Sequence, residues 1–256
     1  MCGLSARFVA GVFVASLLAL AVTTSAAAAA PQCRAGRATS DRLGSPTAAI
    51  AWRAGVIART PVHSRPPVRR KAARPLRSVL PRDASALLVL AARHDRRGRC
   101  WLRVRLPFRP NTSAGWIDAR YVLLRATRWR IVVSRAARTI TLYRHGRVAR
   151  RASVVIGTPS TPTPTGLFSI VATWRWNPYD FLGSYLLPLT AHSDVLQEFG
   201  GGDGRVGIHG RGGESLLAPL GSASSHGCIR LANSTIESIV RTVGPGRLPG
   251  IPVRVL

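Results

Sequence analysis

Lysine is nearly missing from this chain. Lys71 is the only one, so 36 of the 37 basic residues (37 less one) are arginine. Carboxylates are also scarce, with 10 Asp and Glu in 256 residues, which leaves a formal net charge of +27. Such a charge implies anionic surroundings: nucleic acid, an anionic membrane or an acidic polymer. The arginines are scattered and form no DNA- or RNA-binding motif, which argues against nucleic acid as the partner. Part of the arginine excess reads as solvated surface. Long apolar runs are absent after residue 30, so nothing downstream supplies the ~20 apolar residues of a spanning helix. Cysteine is sparse too, with four in all: Cys2, Cys33, Cys100 and Cys228.

The first 30 residues read as a secretory signal peptide. Arg7 gives a short positive start, Phe8 to Val22 is an apolar run, and Thr23 to Ala30 is rich in small residues suited to cleavage. The reading predicts an extracytoplasmic protein with no stable membrane insertion once the leader is removed. An uncleaved anchor is the alternative. Cys2 leaves with the leader, so three cysteines remain. In an oxidising compartment that count suggests one disulfide, Cys33–Cys100, and one free thiol, Cys228.

Residues 31–47 are rich in Arg, Ser and Gly and read as a linker. Residues 48–127 read as a compact module of short strands. Trp101 to Leu106 alternates strictly, Pro107 to Ser113 is turn-rich, and Gly115-Trp116-Ile117 followed by Tyr121 to Leu124 closes the module. Evenly spaced short strands suggest a small β-barrel. The pattern over Cys100 to Leu124 resembles the bacterial Src-homology-3-like barrel. Trp101 and Trp116 are either a ligand platform or barrel core.

Residues 128–256 read as a second, mostly β domain. Strands are expected at Trp129–Ser134, Thr139–Tyr143, Arg147–Ile156, Leu167–Thr173 and Ile251–Leu256, with a tight turn at His145-Gly146. Gly157 to Gly166 is a proline-threonine loop. The aromatic stretch Trp174 to Leu187 is expected to wall or cover a substrate channel. One helix is expected over Thr235–Val243, capped by Ser234 with Glu237 and stopped by Gly244-Pro245-Gly246.

The chemistry concentrates in Val206 to Asn233. Ser225-His226-Gly227-Cys228 puts a histidine two residues before a cysteine, and His209 lies 19 residues before that cysteine. A free thiol with pKa ~8.5 needs a base or a positive field to react at neutral pH. His209 and His226 are candidate bases, Gly227 gives a substrate carbonyl close access to the backbone, and Arg230 adds a cation. Backbone N–H groups around Cys228 could stabilise an oxyanion. Zinc held by His209, His226 and Cys228 is the alternative, but a one-residue gap is not a usual ligand spacing and no fourth ligand is evident.

His209, followed after 15 residues by Ser225-His226-Gly227-Cys228-Ile229-Arg230, resembles the signature of the L,D-transpeptidase family (YkuD-type catalytic domain). Gly157-Thr158-Pro159, Leu189 to Asp194 and Val206 to Gly210 add to the resemblance. It implies a β-sandwich-like catalytic fold with a short helix after the nucleophile. It implies Cys228 as nucleophile and His209 as general base, oriented by the Gly210 carbonyl. The backbone of His226, Gly227 and Cys228 would form the oxyanion site. Ser225 and Arg230 would contact substrate, and the channel aromatics Tyr185 and Trp176 are further candidates for that contact. The implied substrates are peptidoglycan stem peptides joined by 3–3 crosslinks, with no metal and no cofactor. Hydrolysis of the same thioester and a purely wall-binding role are the alternatives. The charge fits anionic cell-envelope polymers as further partners.

Overall fold

The computed structural model describes residues 43–66, the backbone of 75–79, and residues 86–256. The expected leader, most of the linker, and Cys33 lie outside these residues. Cys100 is disulfide-bonded and Cys228 is free. Among the described residues no helix is long and apolar enough to cross a membrane.

The first unit is built from seven strands: β1 (Ala51–Val56), β2 (Pro61–His63), β3 (Pro75–Val79), β4 (Leu87–His94), β5 (Cys100–Arg105), β6 (Ala114–Asp118) and β7 (Val122–Thr127). They form one sheet in the order β3-β2-β6-β5-β4-β1-β7. All of its pairings are antiparallel. The alternation read in the sequence is what buries Leu102 and Val104 while Arg103 faces out. Leu43, Val62, Leu87, Val89 and Ile117 complete this core. Trp101 and Trp116 are buried but lie outside this core, on the opposite face of the sheet, Trp101 edge-on to His63 and Trp116 beneath the Arg93 guanidinium. No pairing of β3 with β7 joins the ends of the sheet, so the described strands do not close into the expected barrel.

The second unit holds a five-stranded sheet, β10-β9-β8-β18-β12. Its members are β8 (Trp129–Ser134), β9 (Thr139–Arg144), β10 (Arg147–Ser153), β12 (Gly166–Ser169) and β18 (Pro252–Val255). The β9–β10 connection is His145-Gly146, with φ of 52° and 79°, the two positive values a tight hairpin of this hand needs. The continuous strand expected over Arg147–Ile156 is broken, and β11 (Ile156–Gly157) leaves to pair with β16 (Ala223–Ser225). A third group orders β13 (Trp174–Arg175), β14 (Tyr185–His192), β15 (Arg205–His209) and β17 (Ile229–Arg230) as β13-β14-β15-β17. Phe168, Ile170, Leu187, Leu189, Ile208 and Ile229 lie at the heart of one shared core.

The helix, α1 (Asn233–Val243), packs Ile236, Ile239, Val240 and Val243 into that core. It stops at Gly244, φ 91°, as expected. Its start corrects the sequence reading. The N-cap is Ala232, no side chain caps it, and the Ser234–Glu237 capping box does not form. Asn233 instead turns its amide toward neighbouring loops.

Candidate active site

Parallel pairing of β15 with β17 assembles the site. Ile208 faces Ile229, and His209 faces Arg230. Both isoleucines are fully buried in the core. Strand alternation therefore puts His209 and Arg230 on the opposite face, and Cys228, two residues before Arg230, shares it. The Gly207 N–H approaches the Cys228 sulfur at 3.5 Å.

His209 is 1% exposed. Its Nδ1 lies 2.7 Å from the Gly210 carbonyl oxygen. A carbonyl only accepts, so the ring donates from Nδ1 there. Burial pulls the imidazole down to about 4, and the Arg230 cation adds to this. Hydrogen bonding to the Gly210 and Leu182 carbonyls opposes the shift only in part. Cys228 keeps partial access to solvent. Dense surroundings push its thiol up, while the Gly207 N–H and Arg230 pull the other way. Near neutral pH both groups thus rest uncharged, the thiol and the imidazole alike.

The loop carrying the cysteine is held from within. The Ser225 hydroxyl donates to the Cys228 carbonyl at 2.6 Å and accepts the Gly227 N–H at 3.1 Å. Ser225 is therefore a buried brace, not an open substrate contact. Gly227 has φ 116°, which favours glycine there. Its N–H is committed to Ser225, which removes one donor from the expected oxyanion set. The proline-threonine loop clamps the other side. The Thr163 hydroxyl donates to the Gly227 carbonyl at 2.8 Å and accepts the Gly157 N–H at 2.9 Å.

His226 is exposed, and its ring lies against Phe199, centroids 4.9 Å apart. The segment Asn177–Gly183 covers the His209 side. The Phe181 ring is 6.2 Å from that of His209, and the Arg230 guanidinium sits 4.7 Å from the Phe181 centroid. Arg230 is buried, and its Nε has no protein partner. Tyr185 reaches the site through its carbonyl, which accepts the Gly210 N–H at 3.1 Å. Trp176 stays on the rim, 45% exposed.

Asn233 escaped the sequence reading. Its Oδ1 accepts the N–H groups of Ser184 (3.1 Å) and Arg211 (3.0 Å), and its Nδ2 donates to the carbonyls of Pro178 (3.1 Å) and Arg211 (3.0 Å). The covering segment is tied to the strand end after His209 through this one side chain. Gly183 and Gly210 pack so closely on it that a Cβ at either would overlap Oδ1. Thr163, Gly207, Phe181 and Phe199 were missed as well. Phe181 lay in the aromatic stretch read as a channel wall and Gly207 in the stretch where the chemistry concentrates, but neither was singled out.

A buried histidine oriented by the next carbonyl, a free cysteine just before the strand paired with it and an adjacent cation fit a thiol acyl-transfer class of site. Residues 128–255, half of the chain, match the YkuD family, the L,D-transpeptidase catalytic domain, and the chain belongs to that family. Among its relatives are the YkuD proteins of Bacillus subtilis, 33% identical over 118 residues, and Bacillus licheniformis, 32% identical over 118 residues. Each match covers 46% of this chain and 62% of the relative, so the chain spans less than two thirds of their length. The catalytic domain of an E. faecium L,D-transpeptidase is 23% identical, covering 50% of this chain and 96% of that one with a TM-score of 0.37. That score is too low for positions to be compared atom by atom.

Proposed function

We propose that the protein is a secreted L,D-transpeptidase that crosslinks peptidoglycan stem peptides. The observation that carries this reading is His209, whose Nδ1 is fixed on the Gly210 carbonyl, on a strand paired with the one that starts just after Cys228; in this reading Nε2 takes the thiol proton. Because the thiol is pushed up and the imidazole down, the proton moves as the sulfur attacks, not before. The Cys228 sulfur bonds to the carbonyl carbon of the third stem residue, and His209 takes the thiol proton. The carbon–nitrogen bond to the terminal D-alanine then breaks, and His209 returns that proton to the leaving amine. A side-chain amine of a neighbouring stem attacks the thioester, the carbon–sulfur bond breaks, and the amine's proton passes through His209 back to sulfur. A 3–3 crosslink results.

Arg230 is the group for a substrate carboxylate, being buried, cationic and unpartnered at Nε. The remaining backbone N–H groups of the expected set, at His226 and Cys228, are read as the oxyanion donors. Residues 48–127 are read as a Src-homology-3-like module and residues 128–256 as the catalytic domain, each with its own core. The setting is extracytoplasmic, with anionic envelope polymers as neighbours. From Ala119 to Tyr179 the chain carries 11 arginines and no carboxylate, a charge segregation suited to them.

The test is product analysis with a disaccharide-tetrapeptide, with and without an amine acceptor. Crosslinked dimer and free D-alanine are expected with acceptor present. Tripeptide alone under both conditions would replace transpeptidation by hydrolysis. No turnover, with binding to sacculi by the full chain, would make the protein a wall-binding one.

A further inference from the structure

The first unit reaches across to the second through the turn between β5 and β6. Arg109 donates to three carbonyls of one loop: Ser193 at 2.7 Å, Leu196 at 2.9 Å and Asp203 at 3.0 Å. Asn111 accepts the His192 N–H at 2.7 Å and donates to the His192 carbonyl at 2.8 Å and the Asp194 carboxylate at 2.9 Å. Arg205 adds a bond to the Pro107 carbonyl at 3.1 Å. The loop in question, residues 193–204, is closed at its base by Ser193 N–H to the Gly204 carbonyl at 2.8 Å. Gly204 has φ 68°, and a Cβ there would overlap the Leu196 carbonyl and press on the Arg109 guanidinium. Both legs of the loop are thus pinned by side chains from the other unit. At its tip, Phe199 and Gly202 exchange two backbone bonds of 3.0 Å. The Phe199 ring there lies on His226, two residues before Cys228.

We infer that Arg109 and Asn111 are positioning residues that set the substrate wall formed by Phe199 and His226 at the mouth of the Cys228 site. This rests on the transpeptidase reading for what enters the mouth. The Arg109 contacts lie on the 193–204 loop, and none of the pinned contacts is made by His209 or Cys228. Loss of the pins therefore loosens the wall without altering the reacting pair, and the effect falls on KM for the stem peptide, not on kcat.

The variants are Arg109→Ala, Phe199→Ala and the double variant, all in the full chain. Phe199 is exposed, so its truncation leaves the fold intact. The expected result is a roughly tenfold rise in KM for each single variant, little change in kcat, and no further rise in the double variant, because the two changes act on one element. Arg109→Lys, which keeps the charge with fewer donors, should recover part of the loss. The His226 ring-proton NMR shift gives a readout independent of turnover. It should move toward the unstacked value in Arg109→Ala as it does in Phe199→Ala. Additive KM effects, or a His226 shift unmoved by Arg109→Ala, would overturn the inference. A wild-type protein without turnover would overturn only the transpeptidase reading, since the NMR comparison still decides the coupling.

Discussion

Asn233 and Arg211 are joined in both directions. The Arg211 N–H donates to Asn233 Oδ1 and Asn233 Nδ2 donates back to the Arg211 carbonyl, each at 3.0 Å. The same amide holds Ser184 and Pro178, so the segment over His209 is fixed through one side chain.

Truncation of that amide should therefore hurt both stability and turnover. Asn233→Ala leaves two N–H groups and two carbonyls unpaired, and a loss of about 2–3 kcal/mol is expected in urea unfolding. Asn233→Asp keeps the Oδ1 acceptor but loses both donations and faces two carbonyls with a carboxylate. It should fall no closer to wild type than half that loss.

Thr163 bridges two loops through one hydroxyl, between the Gly157 N–H and the Gly227 carbonyl. Thr163→Val preserves shape and removes both bonds. About 1–3 kcal/mol of stability should go with it. The rate of thiol alkylation at Cys228 should change with it as the loop relaxes, whereas Thr163→Ser should restore both.

The pH dependence follows from His209. Its folded value, about 4, lies below the ordinary 6.5, so the unfolded chain binds more protons between those limits. Stability is then complete above pH 6.5 and is lost as the pH falls through about 4, by on the order of 3 kcal/mol. His192, lowered chiefly by burial, acts with the same sign. Urea midpoints at pH 7 and 4.5 should differ less in His209→Gln than in wild type. The acid limb of kcat/KM should sit near pH 4 instead of 6.5.

The two histidines should separate cleanly in kinetics. His209→Ala removes the base and should cost about 10²–10⁴ in kcat. His226 is exposed and stacked on Phe199, so His226→Ala should raise KM and keep most of kcat.

Much of this site was legible because it is local. Ser225 to Arg230 lies within six residues, and His209 joins it through the pairing of two short strands. The strand at Trp129–Ser134 and the Gly244 stop were equally plain. What escaped was long-range. Nothing near Asn233 announces that its amide will bind across 22 residues to Arg211 or 55 to Pro178. Nothing in the Pro107–Ser113 turn says that Arg109 will gather carbonyls 84 to 94 residues away. The capping box failed because helix entry is set by the loop packing of Asn233, not by Ser234. The broken strand at Ser153 reflects tertiary pairing too, since Ile156 joins Ala223 rather than continuing beside β9.

The central claim, that Cys228 forms an acyl-enzyme with His209 as its base, is tested most directly by intact-protein mass spectrometry after mixing with a disaccharide-tetrapeptide. Wild type should gain the mass of the stem less D-alanine, on the peptide containing Cys228. His209→Ala should gain it at least 100-fold more slowly, and Cys228→Ala not at all. An adduct retained by Cys228→Ala, or none on folded wild type, would contradict the claim.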